Sequence, residues 1–390
     1  MGSASTFGDD LDFLRRHSET LVLTEADGAA RVALCPALQG RVATSTAAGA
    51  TGRSFGWLNR ELIASGKLAP HMNAYGGEDR FWLGPEGGQF SLFFAPGAPQ
   101  DLGHWQTPAP IDAEPFTLAD RAEDRALLRK TMRLTNASGT VFDLEVEREV
   151  RLHTTERTWS EVALAPRGGV SVVGFETRNR IVNRGAAPWL RDTGLISIWI
   201  AGTFSPSPST IIVLPFRAGP ESELGAIVND QYFGRVPSDR LVVGGNAIYF
   251  RGDGQQRGKI GVTPRRACPS LGSYDARSAD AGVLTLVTYS LPGGARDYVN
   301  SLWEHQREPY RGDAINSYND GPPAPGAKAL GPFYELESSS PALALASGES
   351  AEHIHRTLHF VGALADLDAV ARASLGVSIA EISSAFSGSA

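Results

Sequence analysis

The sequence predicts an all-β protein: a large antiparallel sandwich with a few short helices. Three observations carry that prediction. Apolar and polar residues alternate with a period of two from end to end, the pattern of half-buried antiparallel strands. Turn formers are plentiful and dispersed, with 43 glycines and 24 prolines among 390 residues, so the elements are short and many. Helical spacing appears only in a few brief segments.

Taken in order, residues 9–17 are expected to form a short N-terminal helix. Strands follow at Leu21–Leu23, Arg31–Leu34, Phe90–Phe94, Arg129–Leu134, Phe142–Leu152 and Trp159–Leu164. The Phe142–Leu152 run is the clearest, with apolar residues at nearly all even positions and charges at the odd ones. Further strands are expected at Val170–Phe175, Leu195–Ile200, Ile211–Phe216, Leu241–Phe250, Val283–Tyr289 and Ile354–Val361. Turn clusters such as Asn136–Gly139, Pro166–Gly169 and Pro292–Gly294 separate them. Asp297 is placed to cap a short helix carrying Val299, Leu302 and Trp303. Leu364, Leu367, Val370, Ala371 and Leu375 fall at helical spacing and Gly376 follows as a stop, which predicts a C-terminal helix over about 363–376. Gly321–Gly331 reads as a Pro-rich loop. With no internal repeat and no linker-like composition, one domain over residues 1–390 is expected.

Composition narrows the function classes. At 42% hydrophobic and 20% charged residues the chain is globular rather than disordered. Its net charge of −7, without basic blocks or a basic helix face, argues against nucleic acid or a membrane surface as partner. Cys35 and Cys268 have no CxxC neighbour and no His at zinc spacing, and read as buried free thiols. Met1–Ser5 lacks a signal-peptide pattern and no apolar run approaches the ~20 residues of a bilayer span. A soluble protein is expected, cytoplasmic as the chain stands and periplasmic if a leader was removed. There is no GxGxxG opening a helix, no GxxxxGK[ST], no GxSxG and no HExxH. No cofactor and no metal are expected. Oligomeric state is left open.

Functional candidates lie where the alternation breaks and polar and aromatic residues collect among glycines. The first segment is His71–Gly88, where Glu78, Asp79 and Arg80 beside Trp82 suit paired hydrogen bonds to sugar hydroxyls under an aromatic face. Trp199, in the Trp189–Trp199 segment, is a second platform candidate. Asp253–Lys259 reads as a solvated hairpin tip, with Asp253 kept as a candidate ligand. Trp303 and the Tyr318-Asn319-Asp320 run form a fourth group. In Gly331–Pro341, Glu335 and Glu337 are two apart and share a strand face, which repulsion makes a candidate pair for acid–base work. His353, His355 and His359 share one parity and are expected on a polar strand face; no complementary ligand spacing supports a metal.

The Gln39-Gly40-Arg41-Val42 motif, the Gly-Gly-x-x-Arg segment ending at Arg80 and the Tyr334-Glu335-Leu336-Glu337 strand together resemble the galactose mutarotase-like (aldose 1-epimerase) superfamily. There the late strand is followed by Ala-Leu-Ala-Ser-Gly-Glu-Ser and a closing strand, as residues 344–360 are here. More specifically, Gly76–Phe94, Tyr298–Gly321 and Gly331–Gly362 are similar to an uncharacterised bacterial family of that superfamily. The resemblance implies a β-supersandwich with a sugar groove on its concave face. It implies a glutamate base, matched best by Glu337 with Glu335 as rival, and a substrate contact at Arg80. The strand that should carry the acid histidine reads Thr193–Trp199 and has none, leaving His71 or Asp320 to supply the proton.

The expectation is therefore a carbohydrate-active enzyme, most simply an aldose epimerase or mutarotase. Alternatives are a glycoside hydrolase or lyase using paired carboxylates, or a non-catalytic carbohydrate-binding protein. The expected partner is a small sugar or an oligosaccharide, neutral and hydroxyl-rich.

Overall fold

The alternating runs pair into three antiparallel sheets. The structure, a computed structural model, describes residues 5–26, 28–324 and 326–387. Met1–Ala4 and Pro325 of the Pro-rich loop lie outside the described residues.

A ten-stranded sheet forms the broad layer. Its central strands are Ala281–Tyr289, Ser350–Ala363, Ser171–Asn183, Val141–Leu152 and Arg125–Thr135, paired in that order. A five-stranded sheet packs over it, in the order Gly258–Val262, Ile315–Asn319, Tyr334–Ser339, Ser197–Phe204 and Arg80–Gly84. A three-stranded sheet, Leu21–Thr24, Arg31–Cys35 and Arg41–Thr46, closes one end. The result is the antiparallel β-sandwich expected, with short helices at its margins.

The helices form for local reasons. Phe7–His17 is capped by Thr6, whose hydroxyl takes the Asp9 N–H while the Asp9 side chain returns to the Thr6 N–H. Leu364–Leu375 ends at Gly376 in the left-handed conformation, as the sequence implies. It buries Leu367, Val370, Ala371 and Leu375 against Leu284, Leu286, Leu358 and Phe360 on the outer face of the large sheet.

The Val141–Leu152 strand buries the even-numbered side chains, and one of those is Arg148. Its guanidinium is fully buried between the two sheets. There Nη2 donates to Asp79 Oδ1, Nη1 to Asn179 Oδ1 at 2.6 Å and Nε to the Gly40 carbonyl at 2.9 Å. Thr177 donates to the other Asp79 oxygen at 2.8 Å. A buried ion pair of this kind is tolerated because nearly every donor and lone pair is satisfied.

Four expected elements differ. Phe90–Phe94 is a run of turns, because the Ser91 hydroxyl takes the Phe93 N–H at 2.9 Å and Leu92 N–H goes to the Pro85 carbonyl. Trp159–Leu164 is no strand: Thr154 caps a helix over Thr155–Ser160, and Arg157 pairs with Glu161 one turn on. Asp297 pairs with Arg191 instead of capping, and Tyr298 and Asn300 donate to the Tyr310 and Pro309 carbonyls, so no helix forms. Leu241–Phe250 divides into Leu241–Val243 and Ala247–Arg251. Cys35 is a buried free thiol and Cys268 a partly buried one.

Candidate functional site

The five-stranded sheet turns one face inward and lines a cavity of about 600 Å³ with the other. Register sets the lining. Glu335 lies between Tyr318 and Thr203, Glu337 between Asn316 and Ala201, and Trp199 opposite Trp82. Lys259 pairs with Tyr318 and Arg80 with Ala201, so all of these share one face. Leu336, Ser338, Phe81 and Leu83 point the other way, into the sandwich.

The turn before Arg80 explains the early motif. Gly76 and Gly77 have φ of 84° and 105°, open to glycine, and a Cβ at Gly76 would strike the Trp57 carbonyl. Arg41 Nη1 donates to the Gly76 carbonyl at 2.6 Å, and Gln39 Nε2 to the Phe81 carbonyl. The Gln-Gly-Arg motif thus holds the strand that presents Arg80 and Trp82 to the cavity.

Arg80 Nη2 lies 3.1 Å from Glu335 Oε1, and its guanidinium sits 3.8 Å above the Trp82 ring centroid. Thr203 donates to the same carboxylate oxygen at 3.3 Å. Burial pushes the Glu335 carboxyl up to about 7 against the pull of Arg80, and the Glu337 charge adds to the rise. Glu337 sits beneath the cavity floor. Trp199 Nε1 donates to its Oε2 at 2.9 Å and Lys259 Nζ does so at 3.1 Å, while Oε1 has no partner among the described residues. Burial works against the Lys259 charge, yet Glu337, Glu86 and Glu335 together hold its pKa above the usual value.

Of the residues singled out in the sequence, the structure brings His71, Arg80, Trp82, Trp199, Trp303, Tyr318, Asp320 and Glu335 to the cavity wall. Tyr318 donates to Asp320 Oδ1 at 2.7 Å, and burial raises the Asp320 carboxyl. His71 Nδ1 lies 2.7 Å from the Trp105 carbonyl, which only accepts, so Nδ1 carries the hydrogen and Nε2 is the free nitrogen.

Five others are elsewhere. Glu337 is roofed by Trp199 and Lys259. Asp79 faces the interior with Arg148. Glu78, fully buried, accepts from the Ser45 hydroxyl at 2.9 Å and lies 2.8 Å from His359 Nε2. Asp253 is clamped by Arg240 at 2.6 and 2.9 Å. Asn319 ties the neighbouring hairpin, accepting from Gly254 N–H at 2.8 Å and donating to the Gln256 carbonyl at 2.8 Å. The histidines of the Ser350–Ala363 strand are interior too: His353 and His355 each lie 2.8 Å from the Ser338 hydroxyl, and burial pushes them down to about 3 and about 4. Among the described residues no group of acids, cysteines and histidines could hold a metal.

The wall also contains Glu86, Trp105, Phe233, Arg257 and Lys259, which the sequence did not single out. Glu86 is a buried carboxyl raised by that burial, with Lys259 opposing the rise. Its signal was a charge inside the otherwise small and apolar Gly84–Gly88 run.

The sequence model described as "Family of unknown function (DUF6786)" matches residues 5–386. The chain belongs to this family. Among solved structures, a candidate aldose 1-epimerase from Escherichia coli K12 is similar to this DUF6786 protein at 13% identity and a TM-score of 0.50, over 87% of this chain and 98% of its own. A Synechocystis sp. PCC 6803 protein is similar at 13% identity and a TM-score of 0.50, over 92% and 99%. A galactose mutarotase-like protein from Lactobacillus casei ATCC 334 aligns at 9% identity and a TM-score of 0.46, over 88% and 100%. The DUF6786 chain has the galactose mutarotase-like fold, as the sequence motifs imply. No curated protein matches the sequence. Among the described residues no helix is long and apolar enough to cross a membrane.

Proposed function

We propose that this DUF6786 protein is a carbohydrate-active enzyme working at the anomeric carbon of a sugar, most simply an aldose epimerase or mutarotase. The observation that carries the reading is Glu335: a buried carboxyl in the wall of an aromatic cavity, oriented by Arg80 and poised near neutrality at about 7. Trp303, half-buried in the wall, supplies an apolar face for the C–H surface of a sugar ring, and Trp82 and Trp199 line the wall beside it.

Mutarotation needs one base and one acid. Glu335 takes the proton of the anomeric hydroxyl as the bond from C1 to the ring oxygen breaks and C1 becomes a carbonyl. Asp320 as the carboxylic acid, or His71 as the imidazolium through Nε2–H, gives a proton to the ring oxygen. Rotation about the C1–C2 bond and reversal of both transfers closes the other anomer. Glu337, roofed over, supports the site through Trp199 and Lys259 rather than meeting substrate.

Polarimetry of freshly dissolved α-aldoses tests the reading; enzyme-accelerated approach to anomeric equilibrium is expected, and no acceleration with any aldose or uronate would remove it. Because the base form is the carboxylate, kcat/KM is expected to fall on acidification through a one-proton limb near pH 7. Lys259→Met should move that limb to higher pH, since the Lys259 cation holds the Glu335 pKa down. A limb that stays in place would separate Lys259 from the chemistry.

Glu86 favours one second reading. Two buried carboxyls in one wall, Glu86 and Glu335, suit glycoside cleavage, in which one acts as acid and the other as base or nucleophile. Release of reducing sugar from oligosaccharides, without anomeric exchange of free aldoses, would select it.

A further inference from the structure

We propose that the sugar taken by this cavity carries a carboxylate, and that Arg257 reads it. The inference rests on the carbohydrate reading above and names its substrate class. It departs from the neutral ligand that the sequence suggests, and it starts from the pairing of charges around the wall.

Two cations of the wall are already matched. Arg80 is paired with Glu335, and Lys259 with Glu337. Arg257 is not: among the described residues its guanidinium has no hydrogen-bond acceptor and no carboxylate within 4.0 Å. Asp320 is near enough to feel its charge, but Asp320 Oδ1 accepts from Tyr318 at 2.7 Å and Oδ2 from the Gly331 N–H at 2.8 Å. The guanidinium instead sits over Phe233, its Cζ 3.7 Å from the ring centroid. Phe233 is in turn held edge-on by Tyr318 and Trp303, at 6.0 and 6.2 Å between centroids.

The backbone under Arg257 is fixed as well. Asn319 holds the loop just before Arg257 through Gly254 and Gln256, and a Cβ on Gly321 would crowd the Arg257 N–H. A half-buried guanidinium, held over a ring with its donors free, is a fork set for a planar oxyanion. Arginine pairs with carboxylates through two parallel N–H···O bonds, and little rotamer entropy remains to be lost when the fork is already held. Neutral hydroxyls can accept from the same fork, but without the opposite charge that makes the carboxylate contact the stronger one. Lys328, exposed at the mouth, lies 3.8 Å from Glu61 and is itself matched. Two acids of the wall are already engaged, Glu335 by Arg80 and Asp320 by Tyr318 and the Gly331 N–H. A cavity of about 600 Å³ accommodates a monosaccharide acid.

The test uses the full chain and five ligands: galacturonate and glucuronate, galactose and glucose, and glucose 6-phosphate. Anomeric exchange is read by two-dimensional NMR exchange spectroscopy and binding by calorimetry, for wild type, Arg257→Met and Arg257→Lys. Uronates are expected to have the higher kcat/KM. Arg257→Met should lower the uronate-to-neutral ratio by roughly 10- to 100-fold, and Arg257→Lys should restore part of it. A ratio at or below one in the wild type, or one that Arg257→Met leaves unchanged, overturns the proposal while neutral-sugar exchange keeps the enzyme reading. Preference for the phosphate over both uronates overturns the carboxylate assignment. Neither exchange nor binding of any of the five overturns this proposal and the carbohydrate reading together.

Discussion

Glu335→Gln is expected to lower kcat by roughly 10²- to 10⁴-fold, the usual contribution of a positioned acid–base group. Glutamine keeps the size of the side chain and its contact with Thr203, so sugar binding should persist, while losing the ion pair with buried Arg80 should cost some stability. The same substitution at Glu337 separates the two carboxyls of the strand. Glu337 touches no part of the cavity surface, and its Oε2 is committed to Trp199 and Lys259. Glu337→Gln is therefore expected to act chiefly on stability, by leaving the buried Lys259 ammonium unmatched. Loss of turnover in Glu337→Gln with full activity in Glu335→Gln would exchange their roles, and would favour the assignment implied by family resemblance alone.

Arg148→Met is expected to destabilise the fold by about 3–5 kcal/mol in denaturant unfolding, the range for breaking a buried ion pair from one side. The substitution leaves the Asp79 carboxylate between the sheets with only the Thr177 donor to its side chain, and strips donors from Asn179 and the Gly40 carbonyl. The double variant Arg148→Met, Asp79→Leu should recover part of the loss, because it removes the stranded charge. An effect below about 1 kcal/mol, as at exposed pairs, would mean that water reaches this interior.

The strands were legible where one face alone is buried. Val141–Leu152 and the Leu364–Leu375 helix follow their periodicity closely, since side-chain parity and burial are the same statement there. Phe90–Phe94 misleads because four consecutive residues from Ser91 are buried in a turn, where alternation has no meaning. Parity also held an unread signal. Arg148 is a charge on the core side of the clearest strand, and it marks the buried pair with Asp79.

The candidate site was legible in part for the same reason. Glu335 and Glu337 do share a face, but which of them meets the cavity depends on Trp199 and Lys259, which arrive from strands far away in the chain. Glu78, Asp79 and Arg80 looked like one cluster in sequence. The strand starts at Arg80, so adjacent residues face opposite layers, and only Arg80 reaches the cavity. Arg257 was read as part of a hairpin tip. Its place on Phe233 is a tertiary fact, created by Asn319 and by the ring's contacts with Tyr318 and Trp303.

The role of Glu335 is tested most directly by a crystal structure of the Glu335→Gln protein soaked with mixed aldoses and uronates. A sugar is expected in the cavity beside the tryptophans, with its anomeric oxygen within about 2.6–3.2 Å of the residue 335 side chain. A sugar bound on another surface, or one in the cavity with its anomeric carbon turned away from residue 335, would contradict that role.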